Sequence, residues 1–171
     1  EIFGRDPVDL GLHQVYDVSH NTAKLEWHEV DGRQRELLVH RKGATRAFGP
    51  GRKELPAIFR KTGQPVIIGG SMETGSYLLA GVTEGSQTFF TTAHGSGRVM
   101  SRHKAKRMFR GRTLQHEMEE RGIYVRTASY PGLAEEAGAA YKPIDEVIEA
   151  TALAGISRPV VRFIPIGNIK G

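Results

Sequence analysis

The chain has 171 residues, 39% of them hydrophobic, which fits one domain with a core of its own or part of a larger domain. No run approaches the roughly 18 to 20 apolar residues that span a membrane. The absence of cysteine excludes disulfides and thiolate metal sites within the chain and is consistent with a cytoplasmic protein. A net charge of +5 favours polyanionic partners such as nucleic acids or phosphate ligands.

The charges are separated along the chain. Residues 85–116 contain seven Arg or Lys and no Asp or Glu, whereas residues 117–149 contain eight Asp or Glu. A basic segment beside an acidic one predicts an anion-facing surface, although a solvated helix face is an equally good interpretation of the same pattern.

The first third of the chain predicts a hairpin flanked by loops. Asp6-Pro7 is typical of a helix start, which predicts a short helix to about Leu12, and residues 15–18 predict a short strand. Asp31-Gly32 lies between two strand-like runs, residues 22–30 and 33–40, and indicates a two-residue β-hairpin turn. Residues 41–56, rich in Gly, Pro and cations, predict a long loop of the kind that is usually functional or mobile.

The remainder mixes strands and helices. Strands are predicted at residues 65–68, 77–82, 88–93, 123–128 and 159–170, and helices at 98–110, 113–121, 132–140 and 144–154. In the first of these helices Arg98, Arg102, Lys106 and Arg110 recur at four-residue steps, which predicts a basic stripe along one face. Because the order shows no strict βαβ rhythm, the pattern favours an α+β fold.

His94 is the strongest candidate for chemistry. It ends an apolar strand and is followed by Gly95-Ser96-Gly97 and the basic helix, while Walker, HExxH and GxSxG motifs are absent. Glycines let backbone amides approach a phosphate closely. A histidine in that position can attack phosphorus or act as acid, base or ligand, and a hydrogen-bonded histidine at a strand end is the structural alternative.

Three further sites have weaker patterns. Residues 69–76 form a glycine- and hydroxyl-rich turn that suits either a nucleotide or an ordinary hairpin. His40 ends a strand before Arg41 and Lys42, where metal ligation or anion contact explains its position better than a general-base role, and an ordinary strand-end histidine remains open. His20 is interpreted as a turn residue with a satisfied side chain, with a ligand role as the alternative.

Seven short motifs occur in the chain in a fixed order. They are Tyr16-Asp17-Val18-Ser19-His20-Asn21, Val39-His40-Arg41-Lys42-Gly43-Ala44-Thr45-Arg46-Ala47, Gly63-Gln64-Pro65-Val66, Gly70-Ser71-Met72 with Ser76-Tyr77, His94-Gly95-Ser96-Gly97-Arg98, Ala140-Tyr141-Lys142 and Lys170-Gly171. Together they resemble the RtcB family of tRNA-splicing RNA ligases over essentially the whole length of the chain, which implies an RtcB-like fold.

The resemblance implies a reaction. His94 matches the histidine that attacks the α-phosphorus of GTP, and the resulting His–GMP passes its guanylate to an RNA 3′-phosphate. A 5′-hydroxyl end then displaces GMP, and a 2′,3′-cyclic phosphate is opened first. The implied cofactors are GTP and Mn²⁺, and the implied partners are RNA with such ends and an archease-type activator. Phosphoryl transfer of this kind depends on positioning and charge neutralisation, which a nucleophilic histidine among amides and cations can provide.

The resemblance also implies roles for individual residues. His40 matches a manganese ligand, and Arg98 and Arg102 match positions near phosphate or RNA. The residues that match the guanylate site are Gly70, Ser71, Met72, Ser76, Gly95, Ser96, Gly97, Tyr141 and Lys170. Two positions depart from the family. Glu73 replaces a frequent glycine, and its carboxylate would repel phosphate unless it points to solvent or metal. Ser96 replaces a frequent alanine.

The length of the chain is its largest departure from the family. Residues 1–171 match the C-terminal portion of a single RtcB-like catalytic domain, without the N-terminal half that carries the other metal ligands. We therefore expect the chain by itself to guanylylate weakly and not to ligate RNA. Two alternatives remain: a non-catalytic RNA- or nucleotide-binding module that keeps the fold, and a paralogue that caps or repairs ends.

Overall fold

The computed structural model describes residues 4–171 and confirms the α+β class, with short helices among four small sheets. Strands β1 (Asn21–Val30) and β2 (Arg33–Lys42) form the expected antiparallel hairpin. Its turn residues Asp31 and Gly32 both adopt positive φ, 52° and 70°, as a two-residue hairpin turn requires. One face of the hairpin is buried, and the other leaves Leu25 and Leu38 exposed opposite each other.

The centre of the molecule holds two sheets. Strand β3 (Ala44–Arg46) pairs with β6 (Thr91–Ala93), and strands β4 (Pro65–Gly69), β5 (Ser76–Gly81) and β8 (Ser157–Phe163) form an antiparallel sheet in the order β4-β5-β8. Helix α4 (Ile144–Leu153) covers this sheet. The core between them contains Ala47, Val66, Ile68, Leu79, Ile144 and Ile148.

The remaining elements build a second core beside the first. Helices α1 (Arg102–Met108), α2 (Gly111–Glu120) and α3 (Tyr130–Glu135) pack together, and β7 (Tyr124–Thr127) pairs in parallel with β9 (Gly167–Lys170). This core contains Met72, Leu114, Met118, Ile123, Val125, Leu133 and Ala137. Within residues 4–171, no helix has both the length and the apolar character needed to cross a membrane.

Several predicted elements of the first half differ in the structure. The helix predicted from Asp6 is a single 3-10 turn, Val8–Leu10, whose first amide donates to the Asp6 carboxylate at 2.9 Å. Residues 15–18 form no strand. The loop predicted at 41–56 is interrupted by β3, which is only three residues long and pairs with a distant segment, so no local pattern indicates it.

Two differences affect the region around His94. The strand predicted at 88–93 is confined to Thr91–Ala93, because Phe89 and Phe90 adopt positive φ, 49° and 52°, after the 3-10 turn Gly85–Thr88. The terminal strand region predicted at 159–170 is two strands, β8 and β9, which belong to different sheets.

The prediction that four cations share one helix face is wrong. The Ser101 side chain accepts a hydrogen bond from the Lys104 amide and caps α1, so the helix begins at Arg102 and Arg98 lies outside it. Arg110 lies beyond the C-terminal end of α1 and precedes α2. Arg102 and Lys106 alone share the face, and both form ion pairs with Glu135 of α3.

Candidate functional site

The two glycine-rich turns, separated by some twenty residues in sequence, lie side by side. The Gly69 amide donates to the His94 carbonyl at 3.1 Å, and the Ser96 amide donates to the Gly69 carbonyl at 2.8 Å. These bonds join the end of β4 to the segment that follows β6. The local sequence indicated two separate phosphate-suited turns, and the structure makes them one wall.

A cavity of about 420 Å³ opens beside this wall. Its lining residues are Gly69, Gly70, His94, Gly95, Ser96, Gly97, Arg98, Arg102 and Tyr141. All of them except Gly69 are individual site residues predicted from the sequence. The structure therefore brings together the histidine, both glycine-rich segments, two cations and an aromatic ring.

The cavity wall offers unused hydrogen-bond donors. The amides of Gly95 and Gly97 have no hydrogen-bond partner among residues 4–171. The Ser96 side chain is only 4% exposed, and its hydroxyl also lacks a partner within this described part of the chain. The unpaired amides of Gly95 and Gly97 can donate to a polar group that enters the cavity.

Gly70 is required by close packing in the turn. A Cβ atom at this position would lie 2.4 Å from the Gly75 carbonyl oxygen and 2.7 Å from the Thr74 hydroxyl. The Gly70 amide itself donates to the Gly75 carbonyl at 2.8 Å. Only glycine permits this tight turn, which leaves bare backbone at the cavity wall.

The surroundings of His94 favour its neutral form. Its side chain is exposed at the cavity, with its ring centroid 4.7 Å from that of His20. Partial burial, and then the charge on His20, lowers the pKa of His94 below its ordinary value of about 6.5. A neutral imidazole keeps a nitrogen lone pair, which a nucleophile needs.

The histidine that neighbours His94 is His20 rather than His40. His20 immediately precedes β1, and its carbonyl accepts a hydrogen bond from the Gly43 amide at 2.9 Å, which holds it across from His94. His40 lies in β2 opposite Ala23, is exposed, and does not line the cavity. The sequence favoured a turn role for His20, because nothing local showed that it faces residue 94.

The donors present do not complete a manganese site. Residues 4–171 contain no cluster of three or more His, Cys, Asp or Glu side chains that could hold a metal ion. The His20 and His94 imidazoles are the only neighbouring pair of histidines in this part of the chain. Two imidazoles without a carboxylate fall short of the ligand sets typical of transition metals in proteins.

Tyr141, at one end of the cavity, belongs to a polar network. Its hydroxyl donates to the Glu136 carboxylate at 2.6 Å and accepts from Arg98 Nη1 at 2.8 Å. Burial, and then the hydrogen bond to Glu136, raises the pKa of Tyr141 above its ordinary value, so the phenol stays protonated. Lys170 reaches the same carboxylate at 3.9 Å, which places this predicted site residue beside Tyr141.

Arg98 is committed to this network. Its guanidinium also donates to the Glu135 carbonyl at 2.6 Å and to the Met100 carbonyl at 3.1 Å, and it lies 4.7 Å from the centre of the Tyr141 ring. With three of its five N–H groups hydrogen-bonded, Arg98 orients Tyr141. Arg102, whose side chain is 68% exposed, is the freer cation of the two.

Glu136 joins Tyr141, Arg98 and Lys170, and sequence reasoning missed it. The one available signal was its position in the acidic segment that follows the basic one, since two such segments in a single domain are expected to pair. Nothing in the sequence indicated which acid would meet which cation.

Four predicted nucleotide-site residues do not line the cavity: Ser71, Met72, Ser76 and Lys170, the last of which lies beside Tyr141. The Met72 side chain is 5% exposed and lies in the second core, because the turn folds back against α2. The Ser71 hydroxyl forms a hydrogen bond with that of Thr74 at 3.1 Å, and Ser76 begins β5, paired with Gly69. These contacts position the turn and leave its backbone as the part that faces the cavity.

Glu73, the unexpected carboxylate, points away from the cavity. It accepts hydrogen bonds from the Gly138 amide and from Arg121 Nη2, both at 2.7 Å. The orientation is neither of the two expected from the sequence, solvent or metal. It nevertheless removes the predicted repulsion, because the charge is neutralised by Arg121 and the carboxylate ties the turn to α2.

Comparison with known proteins agrees with these motifs. A sequence model of the family described as tRNA-splicing ligase RtcB matches residues 1–171. A protein of Pyrococcus abyssi named tRNA-splicing ligase RtcB is 54% identical over 173 residues, which cover all of this chain and 19% of that protein. The tRNA-splicing ligase RtcB of Archaeoglobus fulgidus is 53% identical, with all of this chain and 36% of that protein covered.

A bacterial relative gives the same result. The RNA-splicing ligase RtcB of Mycobacterium tuberculosis is 53% identical over 165 residues, which cover 96% of this chain and 37% of that protein. The chain thus spans less than two fifths of the length of each of these relatives. The match to the family model over every residue, together with identities above half, shows that this chain belongs to the RtcB family.

Proposed function

We propose that this chain carries the guanylate-accepting part of a GTP-dependent RNA ligase active site. A ring nitrogen of neutral His94 forms a bond to the α-phosphorus of GTP as pyrophosphate leaves, and the ring then loses its N–H proton. An oxygen of an RNA 3′-phosphate attacks the same phosphorus and releases His94, whose ring takes a proton back as it leaves. A 5′-hydroxyl then attacks the 3′-phosphorus, GMP leaves and the strands are joined. An end that carries a 2′,3′-cyclic phosphate is first opened by water.

The observation that carries the proposal is a neutral histidine at a cavity with unused amide donors. Gly95 and Gly97 offer N–H groups, and Ser96 a buried hydroxyl, next to the imidazole that would attack. Donors fixed in position before the reaction stabilise charge that develops on phosphoryl oxygens. Arg102 adds an exposed positive charge at the same cavity.

The Tyr141 end of the cavity suits the guanine base. The Tyr141 ring offers a surface for stacking, and Lys170 offers an ammonium donor that the Glu136 carboxylate holds nearby. We assign Tyr141 and Lys170 to base recognition on this arrangement and on the family resemblance. The RNA ends and the archease-type activator belong to the proposal on the resemblance alone.

Manganese enters the proposal only as a component of the assay. The family resemblance implies it, but the described residues do not complete a site for it, and no chemical step above is assigned to it. For the same reason we expect weak reaction in the isolated chain and stronger reaction when the remaining segment of a relative is supplied.

The test is covalent labelling with α-³²P-GTP and Mn²⁺, with and without the remaining segment of a relative. We expect the label to map to His94. It should resist alkali and be lost in acid, which is the behaviour of a phosphoramidate bond. His94→Ala should abolish the label. His103→Ala is the matched control, because His103 is an exposed histidine of α1 that does not line the cavity, and it should label like the wild type.

Two results would contradict the proposal. Absence of label even with the remaining segment supplied would remove the nucleophile assignment. If that protein still bound GTP and RNA, the non-catalytic binding module would become the better description. Strong labelling of the isolated chain would instead refute the expectation that its site is incomplete.

A further inference from the structure

A second cleft lies where the start of α2 meets the start of α3, and it shares no lining residue with the cavity at His94. Its volume is about 700 Å³. The lining residues are Arg110, Gly111, Arg112, Thr113, His116 and Tyr130. A smaller cavity of about 180 Å³ shares Tyr130 and adds Arg126. The reaction proposed above uses none of these residues.

One tyrosine–arginine pair lines the cleft, and a second lies beside the smaller cavity. The Arg112 guanidinium lies 5.2 Å from the centre of the Tyr130 ring, and the Arg126 guanidinium lies 5.2 Å from that of Tyr124. Tyr130 is 41% exposed and Tyr124 is 55% exposed. Aromatic rings with accessible faces beside guanidinium groups are the surface on which unpaired bases stack.

The charges of the cleft are available to a ligand. No Asp or Glu lines either cavity in the described part of the chain. Arg110 and Arg112 form no ion pair with an acidic side chain of residues 4–171, whereas both cations of α1 that face α3 pair with Glu135. Two acids contact the lining: Glu120 lies 3.4 Å from His116, and Glu119 accepts a hydrogen bond from Gln115 at 2.9 Å.

The backbone fixes the position of the cleft. Gly111, the first residue of α2, lies so close to Tyr130 that a Cβ atom would be 2.1 Å from the Tyr130 carbonyl oxygen. This contact sets the start of α3 against the start of α2, so the ring of Tyr130 and the guanidinium of Arg112 share one opening. A surface held by main-chain contact is prepared for a ligand before it binds.

Helix α1 connects the cleft to the candidate active site. Arg102, at its first turn, lines the cavity at His94, and the chain reaches Arg110 directly after the helix ends. Seven residues of α-helix span about 10 Å. A nucleic acid strand with one end at His94 can therefore reach the cleft within a few nucleotides.

We propose that this cleft binds single-stranded RNA a few nucleotides from the end that reacts at His94. A base stacks on Tyr130, and flanking phosphates contact Arg110 and Arg112. The proposal rests on the proposed function for the identity of the strand. Single-stranded RNA fits better than duplex, because bases within a helix present no free face to a tyrosine ring.

The test is the affinity of the 171-residue chain for a fluorescein-labelled single-stranded RNA of about 20 nucleotides with a 3′-phosphate, measured by anisotropy. We expect Arg112→Ala and Tyr130→Leu each to weaken binding about tenfold, and Tyr130→Phe to bind like the wild type, because stacking needs the ring and not the hydroxyl. Arg112→Ala should also make the negative slope of log affinity against log salt concentration shallower by about 1. Arg35→Ala, a cation of the hairpin, is the matched control and should change binding less than twofold.

Each other outcome overturns the proposal. Equal losses in Arg35→Ala and Arg112→Ala would mean unspecific attraction by net charge. Equal losses for single-stranded and duplex RNA would exclude a stacking subsite. A loss in Tyr130→Phe as large as in Tyr130→Leu, with the same fall in melting temperature, would assign Tyr130 to packing alone.

Labelling with GTP separates this proposal from the proposed function. A wild type that forms no guanylate adduct even with the remaining segment of a relative supplied, but binds RNA in a manner dependent on Arg112 and Tyr130, refutes the ligase and keeps the subsite. A wild type that labels at His94, with RNA affinity indifferent to both residues, keeps the ligase and refutes the subsite.

Discussion

Replacing Arg41 by methionine removes one partner of a buried ion pair. Glu26 and Arg41 are 5% and 2% exposed, and two hydrogen bonds of 2.8 Å join guanidinium to carboxylate. Arg41 also donates to the Thr91 hydroxyl and the Phe89 carbonyl, both at 2.9 Å. The variant leaves a buried carboxylate with only His28 at 3.0 Å and Arg46 at 3.9 Å.

The expected loss is large because the remaining charge stays buried. Removing one partner of a buried pair costs about 3–5 kcal/mol. For a chain of this size each kcal/mol lowers the melting temperature by about 2–4 °C, so Arg41→Met should melt about 6–20 °C lower. Thermal and urea unfolding followed by circular dichroism measure both quantities. Arg162→Met is the matched control: its pair with Asp145 is about half-exposed, and the loss should be below about 1 kcal/mol.

Two further measurements test the cause. Burial opposes ionisation of Glu26, but hydrogen bonds from Arg41 and His28, with the charges of Arg41 and Arg46, hold its pKa below the ordinary 4.5. A depressed carboxyl pKa contributes stability above the unfolded-state pKa, and that stability is lost as the pH falls through the folded-state pKa. The difference between wild type and Arg41→Met should therefore shrink below about pH 4.5. The double variant Glu26→Leu/Arg41→Met should recover part of the stability that Arg41→Met loses. Two results would refute the buried-charge explanation: losses of stability that add up in the double variant, or a loss of less than about 1 kcal/mol for Arg41→Met alone.

The remaining predictions concern the candidate site. His20→Gln removes a charge that lowers the pKa of His94, so GTP labelling should begin to fail at a higher pH than in the wild type. An unchanged pH dependence of labelling between pH 5 and 8 would contradict this interaction between the two histidines. Glu73→Gln should label within twofold of the wild type, because the carboxylate contacts Gly138 and Arg121 and does not line the cavity. A tenfold change in its initial labelling rate would show that the carboxylate acts on the nucleotide.

Local chemistry determined which elements the sequence could predict. The hairpin was found because Asp31-Gly32 is a turn signal that needs no distant partner, and α4 because its apolar spacing is helical. Strand β3 and the reversed backbone at Phe89 depend on distant residues, since β3 pairs with β6 and the Phe89 carbonyl is held by Arg41. A single sequence does not show such pairings.

The same distinction applies to the site. The residues around His94 were identified because glycines and a nucleophile are adjacent in the chain. The sequence did not identify the partners His20 and Glu136, because they reach the site residues from distant parts of the chain. The helical stripe failed for a local reason, since Ser101 caps α1 and excludes Arg98. His40 had a suggestive neighbourhood in sequence but lies on the exposed face of its strand.

The hairpin that contains the buried ion pair also sets the distance between the two histidines. Arg41, near its end, holds the Phe89–Thr91 segment that leads into His94. The residues just beyond it hold His20, because the Gly43 amide donates to the His20 carbonyl and the Thr45 hydroxyl donates to the Ser19 carbonyl at 3.1 Å. Strand β3, which contains Thr45, pairs with the strand that ends at Ala93. Loosening Arg41 should therefore let the imidazoles separate and raise the pKa of His94, so that GTP labelling of Arg41→Met fails at a higher pH than that of the wild type even at temperatures where the variant is folded.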